Sequence, residues 1–252
     1  MKTLNLVGLG LYDENDLTLR GLEALKRSDK LFLEAYTGFF NGDLKRLSEL
    51  CGKEIIPLKR SDVEEKPEES VLKHAGETSF LVLGDPLVAT THSDLLLRAE
   101  KLGIKVNIIH GSSVYSAVGE TGLQIYKFGR TISIAYPEEK HLPKSPYDNL
   151  KENKQAGLHT LCLLDVKADI GKYMTVNEGI DLLLKMESER MQNQFRKDTL
   201  CVGVARLGGD TVIKYGAAEK IMGEDFGGPP HILIVPGKLH FIEEEMLARF
   251  RV

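Results

Sequence analysis

The chain is short of the residues that would staple it, anchor it in a membrane or draw it to nucleic acid. Its 252 residues include three cysteines, Cys51, Cys162 and Cys201, and none of them stands in C-x-x-C spacing. Neither a disulfide framework nor a cysteine-based zinc site is indicated. Cys162 and Cys201 sit in apolar runs, where a thiol behaves as a small hydrophobe, and a reducing compartment is expected. No window reaches the roughly 18 consecutive apolar residues of a membrane span. The stretch Met1–Val7 is too short and too interrupted for a signal peptide, so a cytoplasmic protein without membrane attachment is expected. The formal net charge of −4 leaves no basic footprint for nucleic acid. The histidines form no H-x-x-x-H or H-E-x-x-H pattern, and no metal is expected. G-x-x-x-x-G-K-[ST] is missing, and so is the G-x-S-x-G elbow of the commonest hydrolases.

Apolar residues make up 42% of the chain and charged residues 28%, the balance of an ordinary globular protein with ample length for a large core. Leu4–Val7, Lys30–Tyr36, Glu54–Leu58, Phe80–Leu83 and Lys105–His110 read as strands. Between them, helices are expected through Leu19, Leu22 and Leu25, through Leu44, Leu47 and Leu50, and over Ser93–Ala99. Asp43 suits an N-cap and Gly52 a stop. The charged segment Ser61–Gly76 is expected to be a helix with a solvated face, followed by a loop. Strands alternating with helices argue for right-handed crossovers and a parallel sheet.

Residues 1–112 therefore form one expected α/β domain, and 113–252 a second. The second holds strands at Thr131–Ala135, His159–Leu164, Leu200–Ala205, Val212–Tyr215 and Ile232–Val235. Its helices are expected near Pro146–Ala156, Val176–Met186 and Phe241–Phe250. Arg206–Thr211 is too short for a parallel crossover, which makes the flanking strands an antiparallel pair and the second sheet mixed.

Two turns stand out. The run Gly84-Asp85-Pro86-Leu87-Val88-Ala89-Thr90-Thr91-His92 follows an apolar strand and leads into a helix. It therefore presents backbone groups at the carboxyl edge of a sheet, where open α/β sheets bind ligands. Gly8-Leu9-Gly10 follows the first strand, but a third dinucleotide-type glycine would fall at position 13, which is Asp13. Acidic Asp13, Glu14 and Asp16 also disfavour a phosphate there. A ligand without phosphates and a plain tight turn both fit these residues. Asp85, pushed to extended backbone by Pro86, and His231, at a strand entrance, are each open to a structural or a functional role.

Three blocks of sequence carry a resemblance: Gly8–Asp13, Asp16–Leu22 and Gly84–His92. It continues through Tyr115–Gly119, Tyr126–Gly129, His159–Asp165, Tyr173–Glu178, Pro229–Gly237 and Leu239-His240. Together they closely resemble the diphthine synthases, a branch of the tetrapyrrole methylase superfamily, over essentially the whole chain in order.

The resemblance implies a two-domain tetrapyrrole-methylase-like fold, with a mostly parallel N-terminal sheet, a mixed C-terminal sheet and the cofactor in the interdomain cleft. It implies an S-adenosyl-L-methionine-dependent N-methyltransferase that releases S-adenosyl-L-homocysteine, and a homodimer. The substrate it implies is translation elongation factor 2 bearing a 3-amino-3-carboxypropyl group on one histidine, methylated repeatedly to diphthine. Leu11, Asp85, Val88, Ser113, Val114, Leu164, Leu207 and His231 are the cofactor contacts implied, many of them through backbone groups. The proton acceptor is unassigned, with Asp85 and His231 as candidates. A small-molecule or tetrapyrrole methyltransferase and a non-catalytic translation-factor-binding module are the alternatives.

Overall fold

The structure is a computed structural model that describes residues 2–138 and 142–252. The chain divides into two compact units, Met1–Tyr115 with Lys167–Gly171, and Ser116–Val166 with Lys172–Val252.

The first unit alternates β1 (Thr3–Gly8), α1 (Leu19–Arg27), β2 (Lys30–Glu34), α2 (Leu44–Cys51), β3 (Ile55–Leu58), β4 (Glu77–Val82), α3 (His92–Lys101) and β5 (Lys105–Ile109). Its five strands lie in the order β3-β2-β4-β1-β5, and every neighbouring pair is parallel. Strands covered on both faces read as continuous apolar runs. Here Leu4, Leu6, Phe80 and Val82 enter one core, while Val7 and Leu81 enter the other with Ala24, Leu25 and Leu47.

The expected first helix is present as α1; the face it buries is Gly21, Ala24 and Leu25, and Leu19 is 81% exposed. The helix packs closely at Gly21, where a Cβ would lie 2.9 Å from Leu17 and 3.1 Å from Val7. The charged segment 61–76 holds only a single π turn, Ser61–Glu65. Pro67, which lacks an N–H, prevents a helix from continuing through it. The segment is also more than surface, because Val63, Val71 and Leu72 are buried in the first core.

The chain continues through a short α4 (Val114–Ala117). The second unit then contains β6 (Ile132–Ile134), α5 (Ser145–Gln155), β7 (Thr160–Leu164), the short β8 (Val166–Lys167) and β9 (Lys172–Tyr173), α6 (Val176–Arg190), β10 (Leu200–Ala205), β11 (Val212–Ala217), α7 (Ala218–Ile221), β12 (His231–Val235) and α8 (Phe241–Ala248). The main sheet runs β11-β10-β12-β7-β6, with β6 and β7 parallel and the other pairs antiparallel. The expected hairpin is present, with Val204 opposite Ile213. Cys162 and Cys201 are fully buried in this core, and burial pushes both thiols up.

A capping box opens α6. The Thr175 hydroxyl accepts from Glu178 N–H at 3.2 Å, and Glu178 accepts from Thr175 N–H at 2.8 Å. Thr175→Ala is expected to lower the unfolding free energy by about 1 kcal/mol, read by urea denaturation.

Candidate functional site

In the first unit the loops after β1, β4 and β5 converge on one sheet edge. Leu9 N–H donates to Val82 O at 2.8 Å, and Gly10 and Gly84 exchange backbone bonds of 3.2 and 2.7 Å. A Cβ built at Gly8 would lie 2.6 Å from both Gly111 N and Gly84 O. One at Gly111 would lie 2.7 Å from Gly84 O and 3.1 Å from Gly10 N. Only glycine permits three loops to close this tightly. Gly10 and Gly84 also take φ of 84° and 72°, where other residues are strained.

The acidic residues behind Gly10 build this loop. Asp16 accepts from Leu11 N–H at 3.1 Å and Tyr12 N–H at 2.8 Å, and Asp13 caps the turn Glu14–Asp16. Buried Glu14 pairs with Arg46 at 3.0 Å. Their structural reading is the one realised, and the helix cap that follows is Thr18, accepting from Gly21 N–H at 3.0 Å.

Asp85 is 6% exposed. One carboxylate oxygen accepts from Leu87 N–H at 3.0 Å, and the other lies 2.7 Å from His110 Nδ1. Behind the turn, His92 Nδ1 lies 2.9 Å from Pro86 O, and its Nε2 lies 3.5 Å from a buried Glu34 oxygen. Burial pushes the Glu34 carboxyl up, while the Thr37 hydroxyl and His92 act the other way. Leu11, Asp85, Val88 and Ser113 thus lie on this edge, in the loops that follow β1, β4 and β5, and Val114 opens α4 directly after Ser113.

Leu164, Leu207 and His231 share one edge of the second sheet. His231 pairs with Ala205, and its neighbour Ile232 pairs with Leu163. Arg206 N–H donates to Pro230 O at 2.8 Å, and its guanidinium donates to Phe226 O and Gly228 O at 2.8 and 2.7 Å. This fixes the turn that carries Leu207.

The His231 ring is fully committed. Nδ1 accepts from Val176 N–H at 3.3 Å, and Nε2 lies 3.1 and 3.0 Å from Gly227 O and Gly228 O, so Nε2 carries the hydrogen. Burial lowers its pKa and keeps it neutral, against the two carbonyl bonds. With neither nitrogen free, His231 is not a proton acceptor. Its aromatic edge and backbone are what it brings to a site.

Sequence reasoning passed over Gly111 and His110. The available signal was a His-Gly pair closing an apolar strand two residues before Ser113. Among the described residues no group of three or more His, Cys, Asp or Glu could hold a metal ion, and no helix is long and apolar enough to cross a membrane.

An edge built from backbone groups suits a ligand without phosphates. The profile of the Tetrapyrrole (Corrin/Porphyrin) Methylases matches residues 3–212. The diphthine synthase of Methanocaldococcus jannaschii is 47% identical over 249 residues, covering 97% of this chain and 97% of the relative. That of Methanococcus aeolicus is 46% identical over 245 residues, covering 96% and 95%. A crystal structure of a diphthine synthase superposes with a TM-score of 0.89 at 36% identity, covering 99% of this chain and 96% of that one. The chain belongs to the tetrapyrrole methylases and, within them, to the diphthine synthases.

Proposed function

We propose that this chain is an S-adenosyl-L-methionine-dependent N-methyltransferase. It methylates, repeatedly, the amino group of a 3-amino-3-carboxypropyl-histidine on translation elongation factor 2, giving diphthine. The observation that carries this reading is the match with diphthine synthases along nearly the full length of both chains.

The glycine-closed edge supports the choice of cofactor. It offers backbone N–H and C=O groups at a point where Gly84 leaves open space, since a Cβ there would meet nothing nearer than Ser112 O at 4.0 Å. Leu11, Asp85, Val88, Ser113, Val114, Leu164, Leu207 and His231 are the residues we propose would hold the cofactor. When bound, S-adenosylmethionine supplies a methyl group already activated on a sulfonium. The chain's own task is then to orient an amine and accept its proton; orientation alone contributes on the order of 7–11 kcal/mol. We further propose that the enzyme works as a cytoplasmic homodimer.

The direct test incubates labelled cofactor with elongation factor 2 carrying the unmethylated precursor and weighs the modified histidine peptide. Stepwise addition of methyl groups is expected. An unchanged peptide after exhaustive reaction rejects the reading, and transfer without the factor points to a small-molecule methyltransferase. Val88→Trp is expected to weaken cofactor binding about tenfold or more, the equivalent of ~1.4 kcal/mol. Calorimetry reads the affinity and a thermal melt the fold. Parent-like affinity with a collapsed melting point would make Val88 a packing residue only.

A further inference from the structure

Asp85 and His110 leave strands that are not neighbours. β4 and β5 flank β1, and the two residues meet across its end, where Gly8 lets Gly84 O and Gly111 N close in. The contact pairs very different environments. The Asp85 side chain is 8% exposed and its partner's is 70% exposed, at an Oδ2–Nδ1 distance of 2.7 Å. Its other oxygen accepts from Leu87 N–H at 3.0 Å, which anchors the carboxylate.

A carboxylate anchored in this way fixes an imidazole. His110 Nδ1–H donates to Oδ2, which leaves the lone pair of a neutral ring on Nε2. His92 and His231 lack the exposure of His110. His92 is 2% exposed with Nδ1 against Pro86 O, and both nitrogens of His231 are held by backbone groups. An ion pair with so exposed a partner adds little to stability. What the arrangement does provide is an oriented, water-accessible acceptor nitrogen three residues before Ser113.

We propose that His110 Nε2 receives the proton of the substrate amine before each methyl transfer, and that Asp85 is its positioning residue. This rests on the methyltransferase reading above. The substrate ammonium gives one proton to Nε2, leaving a neutral nitrogen and an imidazolium. That nitrogen bonds to the methyl carbon while the carbon–sulfur bond breaks and its electron pair stays on sulfur. The exposed imidazolium then passes its proton to water. Each round removes one proton, and a trimethylammonium product has none left to give.

The test uses the full chain with cofactor and the elongation-factor precursor. In long-range ¹H–¹⁵N spectra, His110 of the parent is expected to be protonated on Nδ1. In D85N that preference should be lost, because a carboxamide can present its N–H to the ring instead. Single-turnover transfer by H110A is expected to fall on the order of 10²–10⁴-fold and to be partly restored by added imidazole. Cofactor affinity by calorimetry and the melting temperature should stay near the parent values.

An H110A rate within about threefold of the parent, below the range of general-base effects, overturns the proposal. So does a rate loss that lowered cofactor affinity accounts for, or a parent ring protonated on Nε2. Absence of transfer by the parent chain overturns the methyltransferase reading and this proposal with it.

Discussion

Glu243→Ala is expected to lower the unfolding free energy by about 3–5 kcal/mol, the loss typical of removing one partner from a buried charge pair. Glu243, in α8, is fully buried and gathers four donors. Oε1 lies 2.9 Å from both Gln124 N and His159 Nε2, while Oε2 takes His240 N–H at 2.8 Å and the Lys127 ammonium. His159 Nδ1 accepts from Gly237 N–H at 2.9 Å, so the ring is neutral and Nε2–H donates to the carboxylate. Burial holds the His159 pKa low, against the pull of Glu243. Removing the carboxylate strands buried N–H groups, each left without an acceptor at a cost of about 1–3 kcal/mol.

The pH dependence follows from the same group. Burial pushes Glu243 up, but Lys127 and the N–H donors outweigh it and bring the pKa down from 4.5 to about 2. A depressed carboxyl stabilises the fold above its unfolded pKa and loses that contribution as pH falls through the folded one. The loss therefore runs from 4.5 down to about 2, and it amounts to roughly 3 kcal/mol. The lowered His159 pKa acts in the same direction from 6.5 downward, because the unfolded ring takes up its proton first. Urea midpoints measured across this range are expected to fall with acid in the parent. In Glu243→Gln they should start lower and change less between pH 4.5 and 2. An acid profile identical to the parent's would show that Glu243 does not titrate as the structure requires.

This network was not legible in the sequence. Glu243 stands in an amphipathic segment that reads as a solvated helix start, and its partners lie up to 119 positions away. Periodicity reports which residues face a core, not which charges meet inside it. The first unit was legible because its central strands carry short apolar runs between helices, as Phe80–Val82 shows. The hairpin of the second unit was legible because six residues cannot make a parallel crossover. At the candidate site, Gly84–His92 announced itself as a turn at a sheet edge. Position alone could not say that Glu14 serves the loop rather than a ligand, because its partner is the distant Arg46. The whole-chain resemblance supplied the eight proposed cofactor contacts, and the structure adds where those residues lie: five on one sheet edge and three on another.

Gly8→Ala is expected to abolish cofactor binding at concentrations that saturate the parent, a loss of about 100-fold or more, equivalent to ~2.7 kcal/mol. The added Cβ would lie 2.6 Å from Gly111 N and 2.6 Å from Gly84 O, and 2.9 Å from Gly111 Cα. All three atoms are backbone, so no rotamer change relieves the contact. Either the β4 or the β5 loop must move away, and each carries proposed contacts: Asp85 and Val88 on one, Ser113 and Val114 on the other. Overpacking of this kind also destabilises by about 1–3 kcal/mol, so the melting temperature should fall without global unfolding. Gly119→Ala is the matched control. Its Cβ would meet only Ile125, at 3.7 Å, and affinity and stability should both stay near the parent values. The separation of Asp85 from His110 depends on the same closure, so Gly8→Ala should also release the His110 ring from its single tautomer. A Gly8→Ala protein that binds cofactor as the parent does would mean that the close approach of these three loops serves packing alone, and the cofactor contacts would then have to be sought away from this edge.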